Sequence, residues 1–285
     1  MILFFKDHSF FLMTFNVLHS FNNTLTMMMI TFNKYQGAGN DFVIIDNRTG
    51  IINPDDSKLI NMMCDRRFGV GADGLILVSD YSGADYEMKY FNSDGKLGSM
   101  CGNGGRCVAH FTYVHGIASD SQNFMAFDGL HKATVNNDTV RLQMADVNKY
   151  ELINNNYFLD TGSPHYVVFM DDIDNLNVFE EGSKLRWAPE FKPGGTNVNF
   201  VKILDDGLYL RTFERGVEDE TLACGTGITA SAIASVLKGH FDTGSVKVRA
   251  RGGNLKVELK VDNGKIKDIW LTGPATFVFE GKIEI

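Results

Sequence analysis

Two cysteines, each opening a glycine-rich turn that runs into a helix, constrain this chain more than any other feature. The first turn reads Met100-Cys101-Gly102-Asn103-Gly104-Gly105-Arg106 and the second Ala223-Cys224-Gly225-Thr226-Gly227-Ile228. Phe91-Asn92 lies shortly before the first and Phe213-Glu214 before the second. The likeness reaches further back. Gly37-Ala38-Gly39-Asn40 before an apolar run corresponds to Gly162-Ser163-Pro164-His165 before another, and Gly71-Ala72-Asp73-Gly74 to Gly195-Thr196-Asn197-Val198. Asn40 and His165 are 125 positions apart, Asp73 and Asn197 124, and Cys101 and Cys224 123, all in one order. That is the signature of a duplicated unit, with two half-sites facing one another. Two opposed thiols are what is needed to remove a proton from one face of a carbon and return one to the other.

Periodicity supports the duplication. In the first copy, strands are expected at Ile30–Tyr35, Phe42–Asp46, Leu75–Val78 and Tyr86–Phe91, with a helix at Ser57–Arg67. A helix at Cys101–His115, stopped by Gly116, precedes strands at Phe124–Phe127, Lys132–Val135 and Val140–Met144. The second copy has strands at Tyr166–Met170, Asn199–Ile203 and Leu208–Phe213, then a helix at Gly225–Lys238 ended by Gly239. Strands at Val246–Ala250, Leu255–Val261, Lys267–Leu271 and Thr276–Phe279 complete it. The chain reads as an α+β fold of two pseudo-symmetric domains, each a strand-rich, barrel-like sheet around a central helix that starts at its cysteine. The halves are expected at 29–145, joined by the C-terminal strand 272–285, and at 146–271, with a polar linker near Ala145–Asn156. A ligand site between the copies is the expectation.

Composition narrows the class. The 285 residues are 44% hydrophobic with a net charge of −8 and no basic run, which argues against nucleic acid and anionic membrane as partners. Four cysteines (Cys64, Cys101, Cys107, Cys224) are too sparse for a disulfide scaffold and fit a reducing, cytoplasmic setting. Cys101, Cys107 and His110 are neighbours, but no CxxC pair supports a zinc site, so no metal is expected. Residues 1–28 differ from the rest in their Phe and Met content. They are read as an extension, disordered or not translated, with the functional chain starting near Met27–Met29. A cleaved targeting segment is the alternative, against which stand the lack of a basic start and of a small-residue cleavage site.

Each motif has a bland reading beside the chemical one. Gly69-Val70-Gly71-Ala72-Asp73-Gly74 matches GxGxxG but leads into a strand, so the dinucleotide-binding reading fails. A cysteine is often a small buried hydrophobe, which is the reading for Cys64 and Cys107. For Cys101 and Cys224 the neighbouring glycines let backbone N–H groups approach a ligand. A helix N-terminus also favours thiolate and binds carboxylate. His165, Glu214-Arg215 and the turn amides Asn40, Asn92 and Asn197 are individually weak, and gain weight only from the duplication.

These motifs, in this order, resemble the diaminopimelate epimerase family over nearly the whole chain from about Met29. The resemblance implies that family's fold and a cofactor-independent isomerase acting between LL- and meso-diaminopimelate, in lysine and peptidoglycan biosynthesis. It implies Cys101 and Cys224 as base and acid, with His165 and Glu214 tuning their pKa values. Gly102-Asn103 and Gly225-Thr226 would hold the reacting carboxylate. Asn40, Asn92, Asn197, Glu214 and Arg215 would hold the remaining amino and carboxylate groups. Ser163 stands where many members carry a substrate-binding Asn and Gly74 where some carry Gln, while Val217–Glu220 slightly lengthens one loop. The family suggests a homodimer. Rival readings are a proline- or hydroxyproline-type racemase, a dithiol redox enzyme and an amino-acid-binding protein.

Overall fold

The structure is a computed structural model that describes residues 28–242 and 244–285. The expectations for residues 1–27 lie outside the described residues. Met28, assigned to the extension, instead exchanges both backbone hydrogen bonds with Ile285, at 2.9 and 3.0 Å.

The first copy comprises β1 (Met29–Gly37), β2 (Asn40–Asp46), α1 (Ser57–Cys64), β3 (Gly74–Ser79) and β4 (Tyr86–Asn92), followed by α2 (Gly102–Val114), β5 (Ser121–Ala126), β6 (Gly129–Asn136) and β7 (Thr139–Gln143). The second begins with β8 (Tyr150–Ile153), β9 (Asn156–Asp160), β10 (Pro164–Phe169), α3 (Val178–Arg186), β11 (Asn197–Leu204) and β12 (Gly207–Glu214). It continues with β13 (Asp219–Thr221), α4 (Gly225–Leu237), β14 (Gly244–Ala250), β15 (Gly253–Asp262) and β16 (Lys265–Pro274), before the final β17 (Thr276–Glu284).

The duplication is visible in the pairing. β2 runs parallel to β3 with Phe42 opposite Gly74, and β10 runs parallel to β11 with His165 opposite Asn197. β3–β4 and β11–β12 are antiparallel, while β4–β5 and β12–β14 are parallel crossovers. Those crossovers contain α2 and α4. β17 returns to pair with β1, as β8 pairs with β9. β16 pairs with both β15 and β7, running across position 271/272 and fastening the two copies into one sheet.

α2 and α4 are enclosed by strands. α2 is buried from Gly102 to Thr112, and most of α4 from Gly225 to Ser235. A helix apolar on all sides belongs in a core. The hydroxyls of Thr229 and Ser231 bond back to the Gly225 and Gly227 carbonyls at 2.9 and 2.7 Å, so small polar residues survive burial.

The stretch read as a linker is mostly a hairpin. Asn154 and Asn155 have φ of 51° and 63° and form the β8–β9 turn, a conformation that asparagine tolerates. A polar Asn run is ambiguous by composition alone. α1 ends at Cys64, leaving Arg66 and Arg67 in the loop beyond it. The segment Val217–Glu220 is not simply a longer loop: from Asp219 it folds back on β12, and Glu220 takes a bidentate pair from Arg211, both bonds 2.7 Å. α3 had no counterpart in the sequence reading.

Candidate active site

Each cysteine is the N-cap of its central helix, with nearly the same backbone geometry: φ −105° and ψ 115° at Cys101, φ −111° and ψ 111° at Cys224. The two N-termini meet at glycines. A Cβ on Gly225 would lie 3.4 Å from the Gly102 Cα and 3.2 Å from Leu271 Cδ2, so the close approach requires residues without side chains. Both cysteines line one cleft of about 810 Å³ between the copies.

The structure brings the sequence-predicted residues to this cleft. Asn40, Asn92, Gly102 and Asn103 line it from the first copy, and Ser163, Asn197, Glu214, Arg215, Gly225 and Thr226 from the second. His165 does not line it. It is fully buried behind Ser163 and Thr226, its Nε2 lying 3.0 Å from the Ser163 Oγ and 2.8 Å from the Thr226 Oγ1. Gly74 is not at the cleft either. A Cβ there would strike the Tyr90 ring at 2.4 Å, so that ring occupies the space a longer side chain would need. Tyr90 itself lines the cleft, and Ser163 keeps a hydroxyl in it.

Around Cys101, the Gly104 N–H points to the Sγ at 3.5 Å and the Asn40 Oδ1 lies 3.6 Å from it. The Asn40 amide is oriented by Asp73, which accepts from its Nδ2 at 2.7 Å and is itself held by Arg66 at 2.8 Å. Around Cys224, the Thr226 hydroxyl lies 3.3 Å from the Sγ. A buried chain extends behind that hydroxyl. The Thr212 Oγ1 donates to the Asn199 Oδ1 at 3.0 Å, and the Asn199 Nδ2 donates to the His165 Nδ1 at 3.0 Å. An Nδ1 that accepts leaves the hydrogen of a neutral imidazole on Nε2. That hydrogen faces Thr226 and Ser163. The Thr226 hydroxyl is then available to donate to Cys224. Gly227 makes room for this chain, since a Cβ on it would lie 2.4 Å from the Asn199 Oδ1.

The electrostatics correct one expectation. The helix N-termini were expected to hold thiolate, yet burial pushes the Cys101 thiol up to about 11 and Cys224 up as well. The backbone N–H of Gly104 and the Thr226 hydroxyl oppose the rise at their respective thiols, while Glu214 adds to both. Removal from water outweighs a few N–H dipoles. Glu214 is itself raised, chiefly by burial, against a 2.9 Å bond from Thr221. Burial and the Arg215 charge hold His165 neutral, its pKa lowered to about 3.

Asn197 does internal work. Its Oδ1 accepts the Arg215 N–H at 2.8 Å, and its Nδ2 donates to the Pro164 carbonyl at 2.8 Å and the Ser163 Oγ at 3.1 Å. Tyr90, Arg66, Asn199 and Arg106 were not singled out from sequence. Asn199 had a readable signal, a second amide two residues after Asn197 on the same strand face. Arg106 had another, a lone full charge in the helix Gly102–Val114. Among the described residues no cluster of three His, Cys, Asp or Glu could hold a metal ion, and no helix is long and apolar enough to cross a membrane.

The family model described as diaminopimelate epimerase matches residues 32–150 and 157–278. A diaminopimelate epimerase of Flavobacterium psychrophilum is 47% identical over 252 residues, covering 88% of this chain and 98% of its own length. The homologue of Chlorobaculum tepidum is 43% identical, covering 87% of this chain and 99% of its own. Among solved structures, a Bacillus anthracis phenazine biosynthesis protein of the PhzF family superposes with a TM-score of 0.73 at 16% identity, covering 91% of this chain and all of its own. That likeness is one of fold alone.

Proposed function

The chain belongs to the diaminopimelate epimerase family, and we propose that it inverts one α-carbon of diaminopimelate with Cys101 and Cys224 as a thiolate/thiol pair. The enzyme is an isomerase that interconverts the LL and meso forms. One observation carries the mechanistic reading: two cysteine N-caps of matching geometry open into one cleft from helices whose N-termini touch.

In this scheme the thiolate on one face takes the α-proton and becomes a thiol, leaving the electron pair on carbon and its carboxylate. The thiol on the other face then gives its proton to that carbon and becomes the thiolate. Protons balance, and the two sulfurs exchange roles with each turnover. The N–H groups of Gly102-Asn103 and Gly225-Thr226 bind the carboxylate where charge accumulates. Raised thiol pKa values suit a difficult abstraction, because a thiolate formed in a dry site is a strong base. Glu214 and Arg215 give the cleft one carboxylate and one guanidinium for the zwitterionic groups, with Asn40, Asn92, Asn197 and Ser163 as neutral partners. His165 acts on Cys224 through the Thr226 hydroxyl. No cofactor enters the scheme.

The halves, 29–145 with 272–285 and 146–271, are read as the two walls that close on substrate. A homodimer is supported by β17, which among the described residues pairs with β1 alone and exposes Phe277, Val278 and Phe279. Four free thiols fit a reducing cytoplasm, where the reaction would serve lysine and peptidoglycan synthesis. The test is incubation of reduced protein with LL-diaminopimelate in heavy water, followed by NMR. Loss of one α-proton signal together with meso product supports the scheme. No exchange with diaminopimelate, but exchange with proline or hydroxyproline, would replace the substrate assignment.

A further inference from the structure

Arg106 has no task in the proton transfer just described, yet it is built into the site. Its side chain is fully buried, at 0% exposure. Among the described residues it forms no ion pair, and three neutral oxygens hold it. Its Nη1 donates to the Gly102 carbonyl at 3.2 Å, its Nη2 to the Asn103 Oδ1 at 2.9 Å and its Nε to the Pro274 carbonyl at 3.3 Å. A buried guanidinium without a counterion is costly. Two of its acceptors belong to the first turn of α2, so the side chain runs back toward the helix N-terminus. A full positive charge therefore sits where the helix already places a partial one. The third acceptor is on β16, the strand that fastens the two copies together. A buried cation held by neutral oxygens is matched to anions that arise beside it in turnover.

We propose that Arg106 is the positioning residue and internal counter-cation of the epimerase site, holding the α2 N-terminus in place and favouring anionic Cys101 and the reacting carboxylate. The inference rests on Cys101 being one of the two proton-transfer thiols. The positioning follows from the Asn103 amide. Because its Oδ1 accepts from Arg106, its Nδ2 is turned to the Asn40 Oδ1 at 3.3 Å and to the Ala223 carbonyl at 2.9 Å, one residue before Cys224. Arg106 thereby sets both N-caps against each other. The backbone N–H groups of Gly104 and Asn103 favour the Cys101 thiolate, but the other titratable groups acting on it do not. Glu214 reaches it from β12, Cys224 from the N-cap of α4, Tyr90 from β4 and Cys107 from its own helix, and each is neutral or anionic. Arg106 is the cation that acts in the opposite sense.

The test uses the full chain with Arg106→Gln and Arg106→Lys. The pH dependence of Cys101 alkylation by iodoacetamide, read by peptide mass spectrometry without substrate, is set beside the pH profile of kcat/KM and circular dichroism. Arg106→Gln is expected to move the alkylation midpoint and the acid limb of kcat/KM measurably upward. Arg106→Lys keeps the charge and so the midpoint, but loses the fork that holds Asn103 and Gly102, and kcat falls about tenfold or more. A folded Arg106→Gln with wild-type midpoint and acid limb would overturn the proposal. Should Arg106→Gln not fold, Arg106→Lys decides: a midpoint displaced by a full unit, or an undiminished kcat, overturns it. Failure of the epimerase reading is distinguishable, because it appears as wild-type protein without exchange while the alkylation shift stands.

Discussion

Thr226→Val removes one hydroxyl from the site and leaves its shape and backbone donors in place. The hydroxyl lies 3.3 Å from the Cys224 Sγ and 2.8 Å from the His165 Nε2. When Cys224 is the thiolate, the bond it accepts from Thr226 is charge-assisted and worth about 1.5–3 kcal/mol. That energy corresponds to a fall of about 10- to 150-fold in the step that uses the Cys224 thiolate as base. Folding stability should change little, because His165 keeps the Ser163 Oγ at 3.0 Å as a second partner. The effect should also be confined to one thiol. Losing a donor to the charged form raises a pKa, so the pH midpoint for alkylation of Cys224 should rise while that of Cys101 stays in place. Thr226→Ser, which restores the hydroxyl, should restore most of the activity. The assay is kcat/KM in both directions, with thermal unfolding as the control. A folded Thr226→Val enzyme that keeps more than half of the wild-type kcat/KM in both directions would refute the hydroxyl's role.

Cys101→Ala and Cys224→Ala should each abolish epimerisation, measured by NMR; either variant retaining more than a tenth of wild-type turnover would refute the two-thiol scheme. His165 is buried neutral, its folded pKa lowered from 6.5 to about 3. The unfolded chain therefore binds the extra proton first as pH falls. Stability contributed by this group is complete above about pH 6.5 and is lost between there and about pH 3, by up to about 5 kcal/mol. Urea unfolding from pH 7 to 4 should show the slope, and His165→Gln should flatten it; parallel slopes would show that other groups dominate. Gly227→Ala places a Cβ 2.4 Å from the Asn199 Oδ1, and should cost about 1–3 kcal/mol of stability by overpacking. A midpoint in urea equal to wild type would mean that the Asn199–His165 chain yields without strain.

Much of the site was legible from local signals. The repeated order of Asn40, Asp73 and Cys101 against His165, Asn197 and Cys224 survives as equivalent strand registers and equivalent N-caps, because duplicated sequence carries its turns, caps and periodicity with it. Other features were legible only in part. The Asn154-Asn155 turn was visible as a polar run, but composition does not distinguish a hairpin from a linker. α3 and β13 were missed because short amphipathic or charged segments owe their form to packing partners.

Sequence alone determined that there are two copies, that each cysteine starts a buried helix, and which turn residues accompany it. These follow from interactions spanning a few residues. The tertiary structure decided that the thiols are raised rather than lowered, that Tyr90 fills the space at Gly74, that His165 is buried against the Thr226 hydroxyl, and that Arg106 is buried with no counterion among the described residues. Each of these depends on how much water is excluded and on which atoms from distant segments meet. Desolvation is a property of the assembled volume, and no local pattern of residues encodes it.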